Sequence, residues 1–197
     1  MSEPSPKEPA PGDLALVQEF INSKELHEHP HEGSRASESV DALATPELAA
    51  EWLRSQGSDV ETLSAKEVQR LVDTREALRD LLEDHTGQNV DPEVAVRLER
   101  LLGTVHVRPE FTVAGARLCA PRPGVEGFLG RLAAAIVNAT LDGTWYRLKI
   151  CRRHDCRWAF YDHSKNACGT WCSMRSCGSR EKARAYRERR KATQPIA

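Results

Sequence analysis

The stretch "CRRHDCRWAFYDHSKNACGTWCSMRSC", residues 151–177, contains five of the six cysteines in a chain of 197 residues. Clustered thiols can bind a metal ion, pair as disulfides or take part in catalysis. Two pairs, Cys151-x4-Cys156 and Cys172-x4-Cys177, are separated by a connector of fifteen residues. Structural zinc takes four tetrahedral ligands, and two such pairs can supply them. The spacing therefore predicts one zinc ion bound by Cys151, Cys156, Cys172 and Cys177.

The residues around these cysteines predict a small treble-clef zinc finger. In the connector, "RWAFYD" is typical of a strand, "HSKNACG" of a turn and "TWC" of a returning strand. Ser173 is a favourable N-cap, and the good helix formers after it predict a helix with Cys177 in its first turn. A helix N-terminus and a bound metal both stabilise the thiolate of that cysteine.

The sequence argues against the two other roles of the thiols, disulfide formation and catalysis. The N-terminal "MSEPSPKEPAPGD" lacks the apolar core of a signal peptide, and no apolar run reaches the length of a membrane span. We therefore expect a cytoplasmic protein without membrane contact, in a compartment where disulfides are rare. Cys168, His154 and His163 remain as competing metal ligands, and Cys119 is expected to be a buried residue on a strand.

An enzyme is not expected. The sequence offers no Ser/His/Asp set, no phosphate-binding loop and no open metal site, and it lacks the zinc deaminase motif of H-x-E with P-C-x-x-C.

Charge is distributed unevenly along the chain. Residues 1–150 carry 16 Lys and Arg against 25 Asp and Glu, and residues 151–197 carry 12 against 4, although the formal net charge of the whole chain is −1. Net charges of −9 and +8 for the two parts indicate that the basic tail binds a polyanion while the acidic body has another role.

The predicted C-terminal helix has little to bury and offers cations over most of its surface. Only Glu181 and Glu188 can neutralise these cations, and the tail from residue 151 holds 9 arginines against 3 lysines. Because the arginine fork suits phosphate and the guanine edge, we predict nucleic-acid binding. The predicted contact residues form two lines at helical spacing: Arg180, Arg184, Arg187 and Lys191, and then Arg175, Lys182 and Arg189.

The residues before the finger predict a mostly helical domain with one short β hairpin. Thr45 and Ser64 are placed as N-caps, Glu67 completes a capping box with Ser64, and Asp91 opens a third helix. Residues 13–23 are predicted to be a short ordered apolar stretch of mixed periodicity. A further helix is predicted at 124–143, and two short strands between 104 and 123. The expected fold class is therefore α+β, with this domain followed by the small treble-clef finger.

One helix places arginine among apolar residues. Arg75 lies within the stripe formed by Leu71, Leu78 and Leu82, and Arg79 lies at its edge. A buried guanidinium has to pair with an internal carboxylate or bind an anionic ligand, because an unpaired buried charge is very costly. The sequence leaves both alternatives open.

The C-terminal stretch resembles the CGNR-type zinc finger of bacterial proteins classed as stress-induced transcription regulators. The resemblance is carried by a cysteine pair, a W/F-x-D hairpin, the segment W-C-S-M-x-x-C-G and a basic helix. The matching residues are Trp158, Phe160, Asp162, Trp171, Cys172, Ser173, Met174, Cys177, Gly178 and Arg180. Ser179 stands where the family has asparagine, which puts in doubt a contact made by that amide but not the zinc site.

Upstream, "LALVQEFINS", "ATPELAAEWL" and "TREALRDLL" are similar to segments of the ABATE domain, which precedes this finger in the family. The resemblance implies a domain that senses a small-molecule effector, and it favours a polar ligand pocket lined by Asn22, Arg75 and Arg79. The expected divisions are a disordered leader at 1–12, the ABATE-like domain at 13–143, the finger at 144–191 and a tail at 192–197.

The expected function is that of a zinc-dependent DNA-binding transcription regulator. The alternative is a module without ligand sensing that binds structured RNA or a protein partner. Exposed aromatic residues on the finger would favour RNA, and Tyr161 and Tyr186 are the candidates. Because a single finger binds DNA weakly, we expect a homodimer.

Overall fold

The computed structural model describes residues 8–24, 41–113 and 115–192, with side chains as far as residue 190. Most of the predicted leader, the last five residues of the predicted tail and the Lys191 side chain therefore lie outside the described part. Within the predicted leader, Ala10 is buried and its NH donates to the Gln18 Oε1 at 2.7 Å. The described fold thus begins upstream of residue 13.

Helices make up most of the described chain, and their N-termini carry the signals seen in the sequence. The Thr45 side chain accepts a hydrogen bond from the Leu48 NH at 3.3 Å. Ser64 Oγ accepts from the Glu67 NH at 3.3 Å and a Glu67 carboxylate oxygen accepts from the Ser64 NH at 2.8 Å, which confirms the capping box. The helices are α1 (Leu14–Ile21), α2 (Pro46–Ser55), α3 (Ala65–Leu82), α4 (Glu93–Leu102), α5 (Gly124–Leu141) and α6 (Ser179–Ala192).

Of these described helices, none combines the length and the apolar character that a membrane crossing requires.

The hydrophobic core forms where α1, α2, α3 and α5 meet. Phe20, Trp52 and Phe128 come from three of these helices, and their ring centroids lie 5.2 to 5.8 Å apart. Leu71 and Leu78 on α3 are fully buried against the same core. The short helix α1 is thereby held in place by apolar contacts, although it spans only two turns.

A first hairpin joins β1 (Arg108–Thr112) to β2 (Gly115–Cys119), with Thr112 opposite Gly115, so the two predicted strands are confirmed. Asn138 on α5 fastens this hairpin to the helices. Its Nδ2 donates to the Leu118 carbonyl at 3.1 Å and its Oδ1 accepts from the Leu118 NH at 3.1 Å. The asparagine side chain thus occupies the place of a further strand beside β2.

A second hairpin joins β3 (Leu148–Ile150) to β4 (Ala159–Tyr161), with Leu148 opposite Tyr161. The segment "RWAFYD" does form a strand, but its partner is β3 and not the predicted "TWC". This pairing is favoured because both strands enter the hydrophobic core of the helices. The segment expected to return lies alongside, where the Thr170 carbonyl accepts from the Arg152 NH at 2.9 Å. The fold class is α+β, as predicted.

Polar contacts also hold β4 against the helices. At the end of α1, Asn22 Nδ2 donates to the Ala159 carbonyl at 2.9 Å and Asn22 Oδ1 accepts from the Ala159 NH at 2.8 Å. The Arg157 guanidinium pairs with Asp80 at 2.6 Å and with Glu83 at 2.9 Å, at the end of α3. The strands of the C-terminal part are therefore continuous with the core of the N-terminal part.

We expect Asn22→Ala to lower the free energy of unfolding by about 2 kcal/mol, because it leaves the NH of a fully buried residue, Ala159, without its partner and the Ala159 carbonyl with only a long bond of 3.4 Å from Gln18 Nε2. Urea unfolding of the zinc-loaded chain measures this change. Asn138→Ala is the matched control, since it removes the same pair of bonds from a strand nearer the surface, and we expect about 1 kcal/mol. An unchanged unfolding midpoint for Asn22→Ala would contradict the role assigned to this residue.

Candidate zinc site and basic helix

Four buried cysteines converge beside the second hairpin and before α6. The Sγ atoms of Cys151, Cys156, Cys172 and Cys177 all lie within 4.8 Å of one another. Cys172 Sγ is 3.6 Å from Cys156 Sγ and 3.5 Å from Cys177 Sγ. Sulfur ligands about 2.3 Å from a zinc ion stand roughly 3.8 Å apart at the corners of a tetrahedron. The cluster thus has the ligand type, number and spacing of a structural zinc site.

The thiols of this cluster cannot all ionise without a cation among them. Hydrogen bonds from the neighbouring thiols lower the pKa of Cys177, and Arg153, whose Nη1 lies 3.9 Å from the Cys177 Sγ, adds to this effect. Hydrogen bonds within the cluster, above all with Cys151, raise the pKa of Cys156 and of Cys172, and repulsion between thiolates adds to this effect. A divalent cation at the centre removes that repulsion, so the electrostatics of the cluster favour metal binding.

A buried ion pair shapes the loop that leads from β4 to the second cysteine pair. The Asp162 carboxylate accepts from the Gly169 NH at 2.6 Å and from the Ser164 NH at 3.1 Å, and it pairs with Lys149 Nζ at 3.2 Å. Desolvation works against its charge, but these hydrogen bonds outweigh it and lower the pKa of Asp162. A Cβ on Gly169 would lie 2.8 Å from the Asp162 Oδ2, so the turn requires glycine.

The second cysteine pair opens the C-terminal helix. Ser173 Oγ accepts from the Ser176 NH at 3.3 Å, which confirms the predicted N-cap. The first turn, Met174–Gly178, is a wide π turn that carries Cys177, and α6 continues directly from it. Ser179, the departure from the family asparagine, donates its hydroxyl to the Met174 carbonyl at 2.9 Å. At this position serine therefore makes a local helix bond.

The competing ligands stay outside the cluster. Cys168 is exposed, and Cys119 lies half-buried on β2. His154 is exposed, and the Nε2 of His163 lies 3.0 Å from the Glu8 carbonyl oxygen. Within the described chain, the metal-binding group found here consists of the four predicted cysteines.

The basic residues predicted to bind nucleic acid lie on the surface of the finger. From Arg175 to Arg189 the side chains of all these residues are exposed. Both acidic residues of α6 pair with a single arginine, because Arg184 lies 2.7 Å from Glu181 and 3.6 Å from Glu188. Among the residues that the structure describes, no carboxylate lies within ion-pair distance of Arg175, Arg180, Lys182 or Arg187.

One exposed cation of this surface is not among the predicted contact residues. Arg190 follows Arg187 by three residues, which places the two on neighbouring positions of α6, and its side chain is exposed. The helical spacing alone would have been enough to include it.

The buried arginines of α3 have internal partners. The Arg75 side chain is 0% exposed, and its guanidinium binds both oxygens of Asp41, at 2.6 and 2.8 Å, and the Ser23 Oγ at 3.1 Å. Desolvation opposes the charge of Arg75, but Asp41 outweighs it and raises the pKa of Arg75. The first of the two alternatives, an internal carboxylate, thus accounts for the burial of this charge.

Arg79 and Asn22 are also engaged within the protein. Arg79 Nη2 donates to the carbonyls of Ile21 and Lys24, each at 2.5 Å, and Nη1 donates to the Glu76 carboxylate at 3.1 Å. Burial lowers the pKa of Arg79, and its Nε has no hydrogen-bond partner among the described residues. The side-chain amide of Asn22 makes its two hydrogen bonds to the backbone of Ala159 in β4. A ligand-binding role for Asn22, Arg75 and Arg79 stays a prediction.

We expect Asp41→Asn to cost about 2 kcal/mol of unfolding free energy, because it removes the charge of the more extensively bonded of the two carboxylates that pair with the buried Arg75, the other being Glu76 at 2.9 Å. Desolvation works against the Asp41 charge, but Arg75 outweighs it and the pKa of Asp41 lies below its usual value. The contribution is therefore complete above about pH 5 and is lost as the pH falls below about 4. Denaturant unfolding of the two proteins, compared at each pH, measures the difference.

Glu93→Gln provides a control for that comparison. Glu93 pairs with Arg100 at 3.4 Å, and both side chains are more than half exposed. A surface pair of this kind contributes about 0.5 kcal/mol or less. If Asp41→Asn lowers the free energy of unfolding by no more than Glu93→Gln does, the pair of Asp41 with Arg75 stabilises the fold no more than a surface ion pair.

The chain matches two family models. Residues 147–190 match the CGNR zinc finger, and residues 14–144 match the ABATE domain, which carries the description "Putative stress-induced transcription regulator". No match was found among curated proteins. The first match contains the cysteine cluster and most of α6, and the second contains the helices α1 to α5. The chain therefore belongs to the family of regulators in which an ABATE domain is followed by a CGNR zinc finger.

Proposed function

We propose that this protein is a cytoplasmic transcription regulator that binds duplex DNA through α6 and senses a small-molecule effector with its ABATE domain. One structural zinc ion is held by Cys151, Cys156, Cys172 and Cys177. The sensing domain extends over residues 13–143 and the finger over residues 144–191. The protein acts as a homodimer and has no enzymatic activity.

One observation supports DNA binding above all others, namely the set of exposed cations on α6. Both glutamates of this helix are bound to Arg184, so the charges of Arg180, Lys182 and Arg187 remain available to a partner. A polyanion that approaches the chain is attracted by the basic finger and repelled by the acidic domain. This distribution orients the molecule with α6 toward the nucleic acid.

The zinc ion has a structural role in this proposal. Four cysteine ligands fill a tetrahedral site, which leaves no open position for substrate or water. When bound, the ion supplies a cross-link between the turn after β3 and the first turn of α6. The four cysteines and Ser173 thereby fix the direction in which the basic helix leaves the core.

One of the two tyrosines considered for RNA stacking lies in the core. Tyr161 is 5% exposed and packs in the core, whereas Tyr186 on α6 is 57% exposed. Sequence-specific RNA binding relies on bases stacked on aromatic side chains. Of the two tyrosines considered from the sequence, one is therefore accessible for stacking, while cations are abundant.

Selection of bound sequences from random duplex DNA, in parallel with a random RNA pool, tests the proposal. The whole zinc-loaded chain is used, because β3 and β4 belong to the core of the ABATE domain. We expect the duplex pool to converge on a common sequence. Convergence of the RNA pool alone would establish the alternative of an RNA-binding module, and retention of neither pool at moderate salt would point to a protein partner.

A further inference from the structure

A cleft of about 330 Å³ opens between the start of α1, strand β2 and helix α5. Two arginines and one aspartate line it together with apolar side chains. These residues are Asp13, Leu16, Arg117, Leu118, Arg131 and Ala134. The cleft shares no lining residue with the cysteine cluster or with the Arg75 network.

Arg131, on α5, is a half-buried guanidinium without an ion pair. Its Nη2 donates to the Gln56 carbonyl at 2.9 Å and to the Ser58 Oγ at 2.8 Å. No carboxylate of the described chain lies within ion-pair distance, and Nε and Nη1 have no hydrogen-bond partner there. Desolvation lowers the pKa of Arg131 by more than the attraction of Asp13 raises it, so its charge is only partly compensated. An anion in the cleft would supply that compensation.

Arg117, the other arginine of the cleft, is paired with carboxylates. Arg117 Nη1 lies 3.7 Å from Asp13 Oδ2, and Arg117 Nε lies 3.0 Å from the Glu110 carboxylate. Asp13 is the one carboxylate among the residues lining the cleft, and it faces Arg117. Two arginines and one aspartate line the cleft, so its lining carries one net positive charge, which one carboxylate neutralises.

We infer that this cleft binds a small organic acid, with the carboxylate on Arg131 and the apolar body of the acid against Leu16, Leu118 and Ala134. The Nε or the Nη1 of Arg131, neither of which has a partner among the described residues, can donate to a carboxylate, and such charge-assisted bonds are the stronger kind. A volume of about 330 Å³ lies at the small end of ligand sites, which span roughly 300–1,000 Å³. The inference rests on the proposed sensing function and names the class of effector.

The position of the cleft also connects it to the finger. Leu16 lines the cleft in the first turn of α1, and Asn22 at the end of the same helix holds β4 by two hydrogen bonds. A helix of eight residues is about 12 Å long and moves as a unit. A ligand that shifts the start of α1 therefore acts on the strand that precedes the second cysteine pair.

Titration calorimetry of the full zinc-loaded chain with benzoate, and with its neutral analogue benzamide, tests the inference. We expect saturable binding of benzoate and none of benzamide. Arg131→Gln should weaken benzoate binding at least about tenfold, as the loss of a charge-assisted contact predicts. Arg100→Gln is the control of equal charge on the exposed face of α4, and it should leave the affinity within about twofold. Equal binding of both probes, no binding of benzoate, or binding unchanged in Arg131→Gln would overturn the inference.

A second measurement needs no substitution and so does not depend on the folding of a variant. Cys119 is half-buried and lines the cleft, whereas Cys168 is exposed and does not. We expect benzoate to slow the alkylation of Cys119 by iodoacetamide, followed by mass spectrometry, and to leave that of Cys168 unchanged. Equal rates at Cys119 with and without benzoate would count against the cleft. Neither assay contains DNA, so a result that excludes ligand binding in the cleft is distinguishable from one that excludes DNA binding by α6.

Discussion

Cys172→Ser combined with Cys177→Ser is expected to abolish zinc binding and to destabilise the whole described fold, not the finger alone. Zinc bound by four cysteines contributes about 10–16 kcal/mol of apparent binding energy in isolated fingers, which is folding energy. Because β3 and β4 share the core of α1 and α3, part of that energy stabilises the N-terminal helices as well. A loss of about 5 kcal/mol in a chain of this size lowers the melting temperature by roughly 10–20 °C.

Two measurements check this result. Elemental analysis gives the zinc content per chain, and circular dichroism gives the melting temperature with and without a chelator. Cys168→Ser is the matched control in the same segment, because its thiol is exposed and lies outside the cluster. Zinc retained by the double variant would contradict the ligand assignment. Zinc lost from Cys168→Ser would show that this residue takes the place of one of the four.

Most of the correct predictions rest on patterns of residues that are only a few positions apart in the sequence. The N-caps at Thr45, Ser64 and Ser173 depend on residues no more than three positions apart, and all three are found in the structure. The cysteine spacing works in the same way, because two short turns deliver the ligands in pairs. The family match adds the order of the two domains.

Contacts between residues that are far apart in the chain could not be predicted from the sequence. The strand "RWAFYD" pairs with β3, which precedes the first cysteine, because pairing there buries both strands against helices far back in the chain. Asn22 and Ala159 are 137 residues apart, and Asp41 is 34 residues from Arg75. The apolar stripe of α3 showed that Arg75 would need a partner, but no periodicity could identify Asp41 as that partner. Arg131 gave no signal at all, because its missing ion pair is a property of the packed structure.

Duplex DNA binding is expected to depend on the cations of α6 that form no ion pair with the residues described by the structure. Arg184 differs from its neighbours, since Glu181 and Glu188 already neutralise part of its charge. Within the described part of the chain, no carboxylate pairs with Arg180, Lys182 or Arg187. Each phosphate contact made by such a residue releases a condensed counterion from DNA, so affinity falls with salt in proportion to the number of contacts.

Replacing Arg180, Lys182 and Arg187 together with glutamine should therefore weaken binding to a mixed-sequence duplex on the order of 100-fold at physiological salt. It should also reduce the slope of log affinity against log salt by about three. Fluorescence anisotropy of a labelled duplex, measured over a series of salt concentrations with the full zinc-loaded chain, gives both quantities. The control replaces Lys66, Arg100 and Arg108, three exposed cations before the finger, and changes the net charge by the same amount. If the two triple variants lose equal affinity, net charge and not the surface of α6 governs binding. If the α6 variant keeps the wild-type slope, these residues do not contact the phosphates.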